Sequence, residues 1–379
     1  MAKTYDAVII GAGILGPSTA YHLSQGGITN IAIIDSHKAG GQATRATAAM
    51  VMHQTGIKET TELSQLSIKK YANFINEVGY DIGFKQIGSV LFTTSEQGKD
   101  ALKEQAAMQQ SLGILTETWD SAKLQSATQN LINPEGILSA IYCSTDGYID
   151  ASLAVNGYLS KAKQQGAEII EDTQVAKIIT QSGRIVAVET SEGETINTKL
   201  VINCAGSYAN DIAHSIGITI PIKASYKCLG VLSADGTSQD FPIVEDIDQG
   251  WYFRPHNKGV LVGFGQGQWV EDDDRQAFPS FDTTKEAALR EYATHRVPAL
   301  AGSALLEKWA GYRPMIDPKF GDNLPIIGPV DGIEGYYNNC GYGEFGITHA
   351  AIGGELLASI ILGKSTPVDT KPFLLARFA

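Results

Sequence analysis

The chain has 379 residues, of which 43% are hydrophobic and 18% are charged. This length is about two and a half times that of a typical domain, and the composition excludes a disordered or fibrous protein. The formal net charge is -12, so the average surface would repel a polyphosphate backbone and we expect no nucleic-acid partner.

The cysteines, histidines and apolar runs indicate the cellular compartment and argue against several kinds of site. The four cysteines form no CxxC pair, which is typical of free thiols in a reducing compartment. The seven histidines show no metal-ligand spacing, so we predict no metal site. The first residues contain no signal-peptide core, and the apolar stretch at 350–362 is interrupted by Glu355 and too short to span a bilayer. We therefore expect a cytoplasmic protein without a transmembrane segment.

The chain begins with the pattern of a strand, a glycine-rich loop and a helix. An apolar run at 5–10 precedes the sequence GAGILG at 11–16, and a helical pattern follows. A second strand, at 30–34, ends at Asp35, which matches the acidic partner of a ribose hydroxyl. The segment predicts a dinucleotide-binding βαβ unit. The motif alone is compatible with both FAD and NAD, because both carry an ADP moiety.

Each glycine of the motif has a structural role in binding a dinucleotide. Gly11 permits a tight turn, Gly13 lets the backbone approach a pyrophosphate, and Gly16 lets the helix pack closely against the strand. The N–H groups of the helix N-terminus would then face the anion.

Several further segments follow in chain order. Residues 36–50 form a loop rich in small residues, and residues 200–208 read as a buried strand that ends in a tight turn. Residues 250–263 predict a hairpin around a turn at 257–259. Helical patterns occur at 60–76, 98–112, 151–165 and 284–295, and another begins after residue 348.

Taken in this order, GAGxxG, the small-residue loop with Arg45, NCAG, YFRP, WAGYRP, LPIIG and GYGxxGI resemble the D-amino-acid oxidase family of FAD enzymes. This family includes glycine oxidase, sarcosine oxidase and the D-amino-acid dehydrogenases, and the resemblance runs from end to end of the chain. It implies an α/β fold with a Rossmann-like FAD-binding domain of the GR2 type. An interleaved α+β substrate domain would be built on a mixed sheet.

The resemblance also implies how the chain is divided. The FAD-binding domain would comprise residues 1–85, 145–222 and 309–379, and the substrate-binding domain residues 86–144 and 223–308.

The resemblance implies a set of FAD-binding residues, with Val175 near the adenine and the N-terminus of the last helix near the flavin. N-methyl amino acid oxidases of the family bind FAD covalently through a cysteine in the C-terminal segment, but residues 309–328 contain none, so we expect noncovalent FAD. The predicted residues are Gly11, Gly13, Ile14, Leu15, Gly16, Asp35, Ser36, Gly41, Gln42, Ala43, Thr44, Arg45, Ala48, Ala49, Met50, Val175, Cys204, Ala205, Gly206, Arg313, Gly341, Gly343, Phe345, Gly346, Ile347 and Thr348.

Two catalytic residues follow from the same resemblance. Arg313 in WAGYRP would bind the substrate carboxylate, because a planar guanidinium can contact both carboxylate oxygens. The alternative is a structural ion pair with Asp317 or Asp322. Tyr252 would face the substrate with its hydroxyl, and its alternative is core packing on a strand with alternating aromatic residues.

The expected activity is FAD-dependent oxidation of an amino acid or related amine. Hydride would pass from Cα to flavin N5, the imine would hydrolyse to a 2-oxo acid, and oxygen, a quinone or another redox partner would accept the electrons. One alternative is oxidation of a 2-hydroxy acid, for which His53 or His256 would accept the alcohol proton. Another is an FAD-binding subunit of a multi-subunit amine dehydrogenase, which would need a partner subunit.

Overall fold

The structure is a computed structural model that describes residues 3–234, 238–257, 259–263 and 265–379. Within these ranges, no helix is both long enough and apolar enough to cross a membrane. The described strands are β1 (Ala7–Ile10), β2 (Ile31–Ile34), β3 (Met50–Val51), β4 (Lys85–Gln86), β5 (Ser89–Thr93), β6 (Thr116–Trp119), β7 (Ser139–Cys143), β8 (Gly147–Tyr148), β9 (Glu168–Ile170), β10 (Val175–Gln181), β11 (Arg184–Thr190), β12 (Thr195–Asn197), β13 (Val201–Asn203), β14 (Ile222–Ser233), β15 (Ile243–Asp246), β16 (Trp251–His256), β17 (Gly259–Gly263), β18 (Gln268–Val270), β19 (Leu305–Ile316), β20 (Ile326–Pro329) and β21 (Tyr336–Cys340).

Most of the described helices lie close to the predicted helical patterns, with bounds that differ by a few residues, but the short helices at 121–127 and 209–214 were not predicted. The described helices are α1 (Leu15–Gln25), α2 (Lys58–Ala72), α3 (Phe74–Glu77), α4 (Glu96–Ser111), α5 (Ser121–Ala127), α6 (Ala151–Gln164), α7 (Ala209–His214), α8 (Lys285–Arg296) and α9 (Gly346–Ile361).

The first large sheet contains the predicted βαβ unit. Its strand order is β20-β21-β13-β1-β2-β9, and its strands are parallel except for β20, which is antiparallel to β21. Every residue of β1 and β2 is buried, which explains why both strands are uninterrupted apolar runs. The predicted strand, helix and second strand are β1, α1 and β2.

The second large sheet is mixed, as predicted. Its order is β18-β14-β17-β16-β15-β5-β7-β6, and β19 pairs with β14. β15 is parallel to β5, whereas β16 and β17 are antiparallel and form the predicted hairpin. Lys258, in the predicted turn of this hairpin, lies outside the described residues. The predicted α/β fold class, with two sheets of these kinds, is confirmed.

Both large sheets combine strands from separated parts of the chain. The first takes strands from the N-terminus, the middle and the C-terminal part, and the second takes strands from the intervening segments. The predicted boundary at residue 309 falls inside β19, because Leu305–Ile316 is one continuous strand along β14. The division into domains stays a prediction.

The register of the second sheet gathers one row of side chains on its inner face. Leu229 pairs with Trp309 on one side and with Gly263 on the other. Tyr252 pairs with Gly263 and with Glu245. Directly paired residues project from the same face of a sheet, so these five residues form a row across five strands.

A second group of side chains lies further along β14 and β19. Lys227 pairs with Gly311, and Ser225 pairs with Arg313. Residues two apart on a strand share a face, so Lys227 and Arg313 project on the same side as the row through Leu229.

Helices α1 and α9 are in close contact beside the first sheet. The Ser18 hydroxyl donates a hydrogen bond of 2.7 Å to the Ala350 carbonyl. A Cβ atom on Gly354 would lie 2.3 Å from Ser18 Oγ and 2.7 Å from the Ser18 carbonyl carbon. The absence of a side chain at Gly354 therefore sets the distance between the two helices.

We expect Gly354→Ala to destabilise the protein. The overpacking costs about 1–3 kcal/mol, which exceeds the helix-propensity gain of up to about 1 kcal/mol for alanine. Urea unfolding of the FAD-loaded protein measures the change. The control is Gly56→Ala, because a Cβ there has its nearest neighbour 3.7 Å away. A Gly354→Ala midpoint at or above that of the wild type would contradict the close helix contact.

Candidate active site

A cavity of about 1460 Å³ lies between the first sheet and the inner face of the second. This volume exceeds the roughly 300–1,000 Å³ typical of a pocket for one small molecule. One end is formed by the glycine-rich loop after β1, and the other by the charged face of β14, β15, β16 and β19. The cavity can therefore accommodate a dinucleotide together with a small substrate.

All of the sequence-predicted site residues line this cavity except Gly16 and Gly341. Gly16 lies behind the loop, where a Cβ atom would come within 1.9 Å of the Gly11 carbonyl oxygen. Gly341 has φ +73°, and a Cβ there would contact Ile316 and Ile222. These two glycines therefore shape the backbone around the cavity.

The remaining glycines of the motif bring the backbone to the cavity wall. Gly11 has φ +107°, and a Cβ there would lie 2.4 Å from the Cys204 carbonyl oxygen at the end of β13. A Cβ on Gly13 would lie 3.3 Å from Thr44 Oγ1. Only glycine fits the turn at Gly11, and α1 begins directly behind it with its N-terminus at the cavity.

Asp35 is held at the cavity wall by two backbone donors. Its Oδ2 accepts a hydrogen bond of 2.7 Å from the Ala12 N–H, and its Oδ1 accepts one of 2.8 Å from the His37 N–H. Burial raises the pKa of Asp35. Each carboxylate oxygen can accept a further hydrogen bond, so Asp35 can bind a ribose hydroxyl.

The small-residue loop at 36–50 connects the two sheets. The Thr44 hydroxyl accepts a hydrogen bond of 3.0 Å from the Ile14 N–H at the start of α1. Arg254 Nε donates one of 2.7 Å to the Ala48 carbonyl, and the Thr348 hydroxyl donates one of 3.1 Å to the Met50 carbonyl. The loop is thereby joined to α1, to β16 and to α9.

The N-terminus of α9 forms part of the cavity wall opposite the second sheet. Gly346, Ile347 and Thr348 line the cavity, and the first turn contains no acidic residue. The Tyr71 hydroxyl donates a hydrogen bond of 2.6 Å to the Ile347 carbonyl. Partial positive charge at this helix end can stabilise an anion. With the α1 N-terminus and Asp35, this half of the cavity has the donors and acceptor that FAD requires.

Arg313 lies at the other end of the cavity with only part of its guanidinium paired. Its Nη2 donates a hydrogen bond of 3.1 Å to Ser225 Oγ, its Nη1 is in ion-pair contact with Glu344, and its buried Nε has no described acceptor. Burial lowers the pKa of Arg313. The alternative partners are occupied elsewhere, because Asp317 pairs with Lys319 and Asp322 with Arg377.

Tyr252 is buried on the cavity face of β16, so its side chain both packs in the core and lines the cavity. A Cβ atom on Gly263 would lie 1.9 Å from the Tyr252 ring, which shows that the ring fills the space above that glycine. Lys227 Nζ lies 4.8 Å from the ring centroid. Burial raises the pKa of Tyr252, so the phenol is neutral.

Sequence reasoning missed several charged residues of the cavity, among them Lys227, Glu245 and Glu344. Lys227 is the one charged residue within 224–233 of β14, and Glu245 follows two apolar residues in β15. A charged residue within such a run is the signal that marks them. Glu344 lies within GYGEFGI, directly before α9, at a position that the motif leaves unspecified.

The two candidate histidine bases are in different environments. His256 lines the cavity, and burial together with the neighbouring Arg254 lowers its pKa. His53 is absent from the cavity lining, and its Nδ1 lies 2.7 Å from the buried carboxylate of Asp146. Cys143 Sγ is 3.8 Å from the same nitrogen, so these groups form a buried polar cluster.

Comparisons with known proteins agree with this geometry. The mouse sarcosine dehydrogenase, a mitochondrial protein, is 25% identical over 100% of this chain, which covers 42% of that protein. The hydrogen cyanide synthase subunit HcnC of Pseudomonas aeruginosa is 26% identical, over 100% of this chain and 97% of that protein. The solved structure of L-proline dehydrogenase from P. horikoshii superposes with a TM-score of 0.90 at 23% identity, over 100% of this chain and 98% of that one. The model of the FAD dependent oxidoreductase family (DAO) matches residues 6–360. The chain therefore belongs to this family of FAD-dependent amino-acid and amine oxidoreductases.

Proposed function

We propose that the protein oxidises an amino acid or related amine at the carbon that bears the nitrogen, giving an imine that hydrolyses to a 2-oxo acid. The observation that carries the proposal is the position of Arg313, a cation with an unused donor, in the same cavity as the dinucleotide-binding loop. FAD, when bound, supplies the hydride acceptor for this reaction. Sarcosine dehydrogenase, by its name, acts on an amine, which supports the choice of substrate class.

We propose that FAD is held noncovalently by the residues named above, with the pyrophosphate at the α1 N-terminus and a ribose hydroxyl on Asp35. The α9 N-terminus would stabilise negative charge on the reduced flavin. The buried thiols support noncovalent binding. Burial raises the pKa of Cys204 to about 12 and raises that of Cys340 as well, so neither forms a thiolate readily.

Arg313 would bind the substrate carboxylate in place of Glu344. The Glu344 side chain is 44% exposed, so it can move into solvent at little cost when a substrate arrives. Arg313 Nη2 has a second N–H besides the one bonded to Ser225, and this N–H, paired with either the unused Nε or the released Nη1, would then offer the carboxylate two parallel donors. A substrate held in this way keeps its Cα–H bond in a fixed orientation, which makes the oxidation a positioned step. The Tyr252 ring would form the cavity wall beside the bound substrate.

Oxidation of a 2-hydroxy acid is the second candidate. His256 lines the cavity, and its lowered pKa keeps the imidazole neutral and able to accept a proton at neutral pH. A partner subunit is a further proposal, supported by the name of HcnC, which describes it as a subunit of a synthase. Oxygen, a quinone or another redox partner would reoxidise the flavin.

We expect amino acids or related amines to bleach the flavin absorbance when mixed anaerobically with the protein. The panel comprises D- and L-amino acids, glycine, sarcosine, proline and 2-hydroxy acids. Bleaching by 2-hydroxy acids alone would refute amine oxidation and support the second candidate. Bleaching that requires an added partner protein would identify the chain as a dependent subunit.

We expect Arg313→Ala to raise the Kd of carboxylate-bearing amines about 100-fold while FAD stays bound. The reason is the loss of a charge-assisted bidentate contact, worth about 2–5 kcal/mol. Titration of flavin reduction measures Kd. Arg290→Met is the control, because Arg290 pairs with Glu286 on α8 and is absent from the cavity lining. An unchanged Kd in Arg313→Ala would show that the carboxylate binds elsewhere.

We expect Glu344→Gln to lower the Kd of carboxylate substrates about fivefold, because the competing ion pair of a half-exposed carboxylate is worth about 1 kcal/mol. Glu271→Gln is the matched control, since Glu271 pairs with Lys223 at 3.6 Å and is absent from the cavity lining. A higher Kd in Glu344→Gln would mean that Glu344 helps to bind the substrate instead of competing with it.

A further inference from the structure

Two charged groups at the substrate end of the cavity, the buried Lys227 and the half-buried Glu245, lack close partners. The Lys227 side chain is 9% exposed, its ammonium donates no hydrogen bond to any described residue, and the Glu344 carboxylate is 3.9 Å away, beyond hydrogen-bond length. Glu245 also lines the cavity, and it makes no hydrogen bond or ion pair with the described part of the chain. Both groups therefore have their polar atoms available to a ligand.

The sheet register brings these groups to the same face as Arg313. Lys227 and Ser225 are two residues apart on β14, and Ser225 pairs directly with Arg313. Residues two apart on a strand are separated by about 7 Å, so the side chains of Lys227 and Arg313 project from neighbouring positions of the sheet. Glu245 reaches the same face through its pairing with Tyr252, whose ring is contacted by Lys227.

Keeping these groups inside the protein is costly unless a ligand compensates their charges. Burial and the nearby Arg313 lower the pKa of Lys227, and the Glu245 carboxylate opposes that shift. Burial raises the pKa of Glu245, and the two cations oppose it. Perturbed charged groups that converge on a cavity are typical of ligand-binding sites.

We propose that Lys227 and Glu245 form a second charged subsite that selects amine substrates carrying two carboxylates. Arg313 binds the carboxylate on the reacting carbon, Glu245 faces the amine, and Lys227 binds the second carboxylate. This inference rests on the proposed function and specifies its substrate class.

Charge counting favours a dicarboxylate over other amines. Arg254 also lines the cavity, but its Nε and Nη1 donate hydrogen bonds to the Ala48 and Pro255 carbonyls. Once Glu344 has moved into solvent, the groups assigned to the substrate are two cations, Arg313 and Lys227, and one anion, Glu245. A dicarboxylate with a protonated amine has the complementary set of two negative charges and one positive charge. A monocarboxylic amino acid would leave one buried cation uncompensated, and a basic amino acid would add a third cation.

The first test uses the wild-type FAD-loaded protein and needs no turnover. Malonate and succinate, compared with acetate and propionate, are titrated while the flavin spectrum is monitored. We expect the dicarboxylates to bind at least tenfold more tightly, because they engage both cations. Equal affinity for the two classes would overturn the proposal.

The second test measures substrate preference by anaerobic flavin reduction. The substrates are aspartate, glutamate and N-(carboxymethyl)glycine, compared with alanine, 2-aminobutyrate and sarcosine. We expect the wild type to prefer the dicarboxylates. Lys227→Met should lower the ratio of dicarboxylate to monocarboxylate kcat/KM by about 10- to 100-fold, whereas Lys227→Arg should largely retain it.

Lys223→Met is the matched control, because Lys223 lies on the same strand, pairs with Glu271 and is absent from the cavity lining. This variant should keep the wild-type ratio. A Lys227→Met protein with an unchanged ratio would overturn the dicarboxylate subsite, although bleaching by any amine would leave the proposed function intact. Bleaching by 2-hydroxy acids alone would instead overturn the proposed function, while the malonate titration would still decide whether two cations bind two carboxylates.

Discussion

The contact between α1 and α9 at Ser18 and Gly354 is the constraint on which the cavity depends. The two helices come from opposite ends of the chain, and both N-termini reach the cavity wall. The distance between the two helices is set by direct packing of the Gly354 backbone against Ser18, because no side chain fits at Gly354. Since a helix N-terminus stabilises negative charge, the contact aligns two such ends along one cavity. A pyrophosphate and a reduced flavin are the anionic parts of FAD that such a pair suits.

The second sheet provides the opposite wall through its register. Gly263 has no side chain and thereby makes room for the Tyr252 ring, which in turn supports the Lys227 ammonium. Arg313 lies beside this group because Ser225 pairs with it across β14 and β19. The loop at 36–50 joins the two walls, since Arg254 bonds to the Ala48 carbonyl and Thr348 to the Met50 carbonyl. The substrate end and the cofactor end are therefore fixed relative to each other.

Substrate selectivity is the property that the family fold leaves to individual side chains. Membership in the FAD dependent oxidoreductase family accounts for the cofactor and the general type of reaction. In our proposal, the identity of the substrate depends on side chains such as Lys227 and Glu245, which project from the second sheet. Buried charges at such positions are informative, because their desolvation cost is high without a ligand of opposite charge.

Local patterns in the sequence determined the βαβ unit, the long helices, the YFRP hairpin and the family, because each depends on residues close together in the chain. The glycines, Asp35 and Arg313 were identified in this way. Only the tertiary structure decided which charges meet. Glu344 reaches Arg313, whereas Asp317 and Asp322 pair elsewhere. Lys227 and Glu245 interact although β17 and β16 lie between their strands in the sheet. The register of strand pairing sets these distances, and this register cannot be read directly from a single sequence.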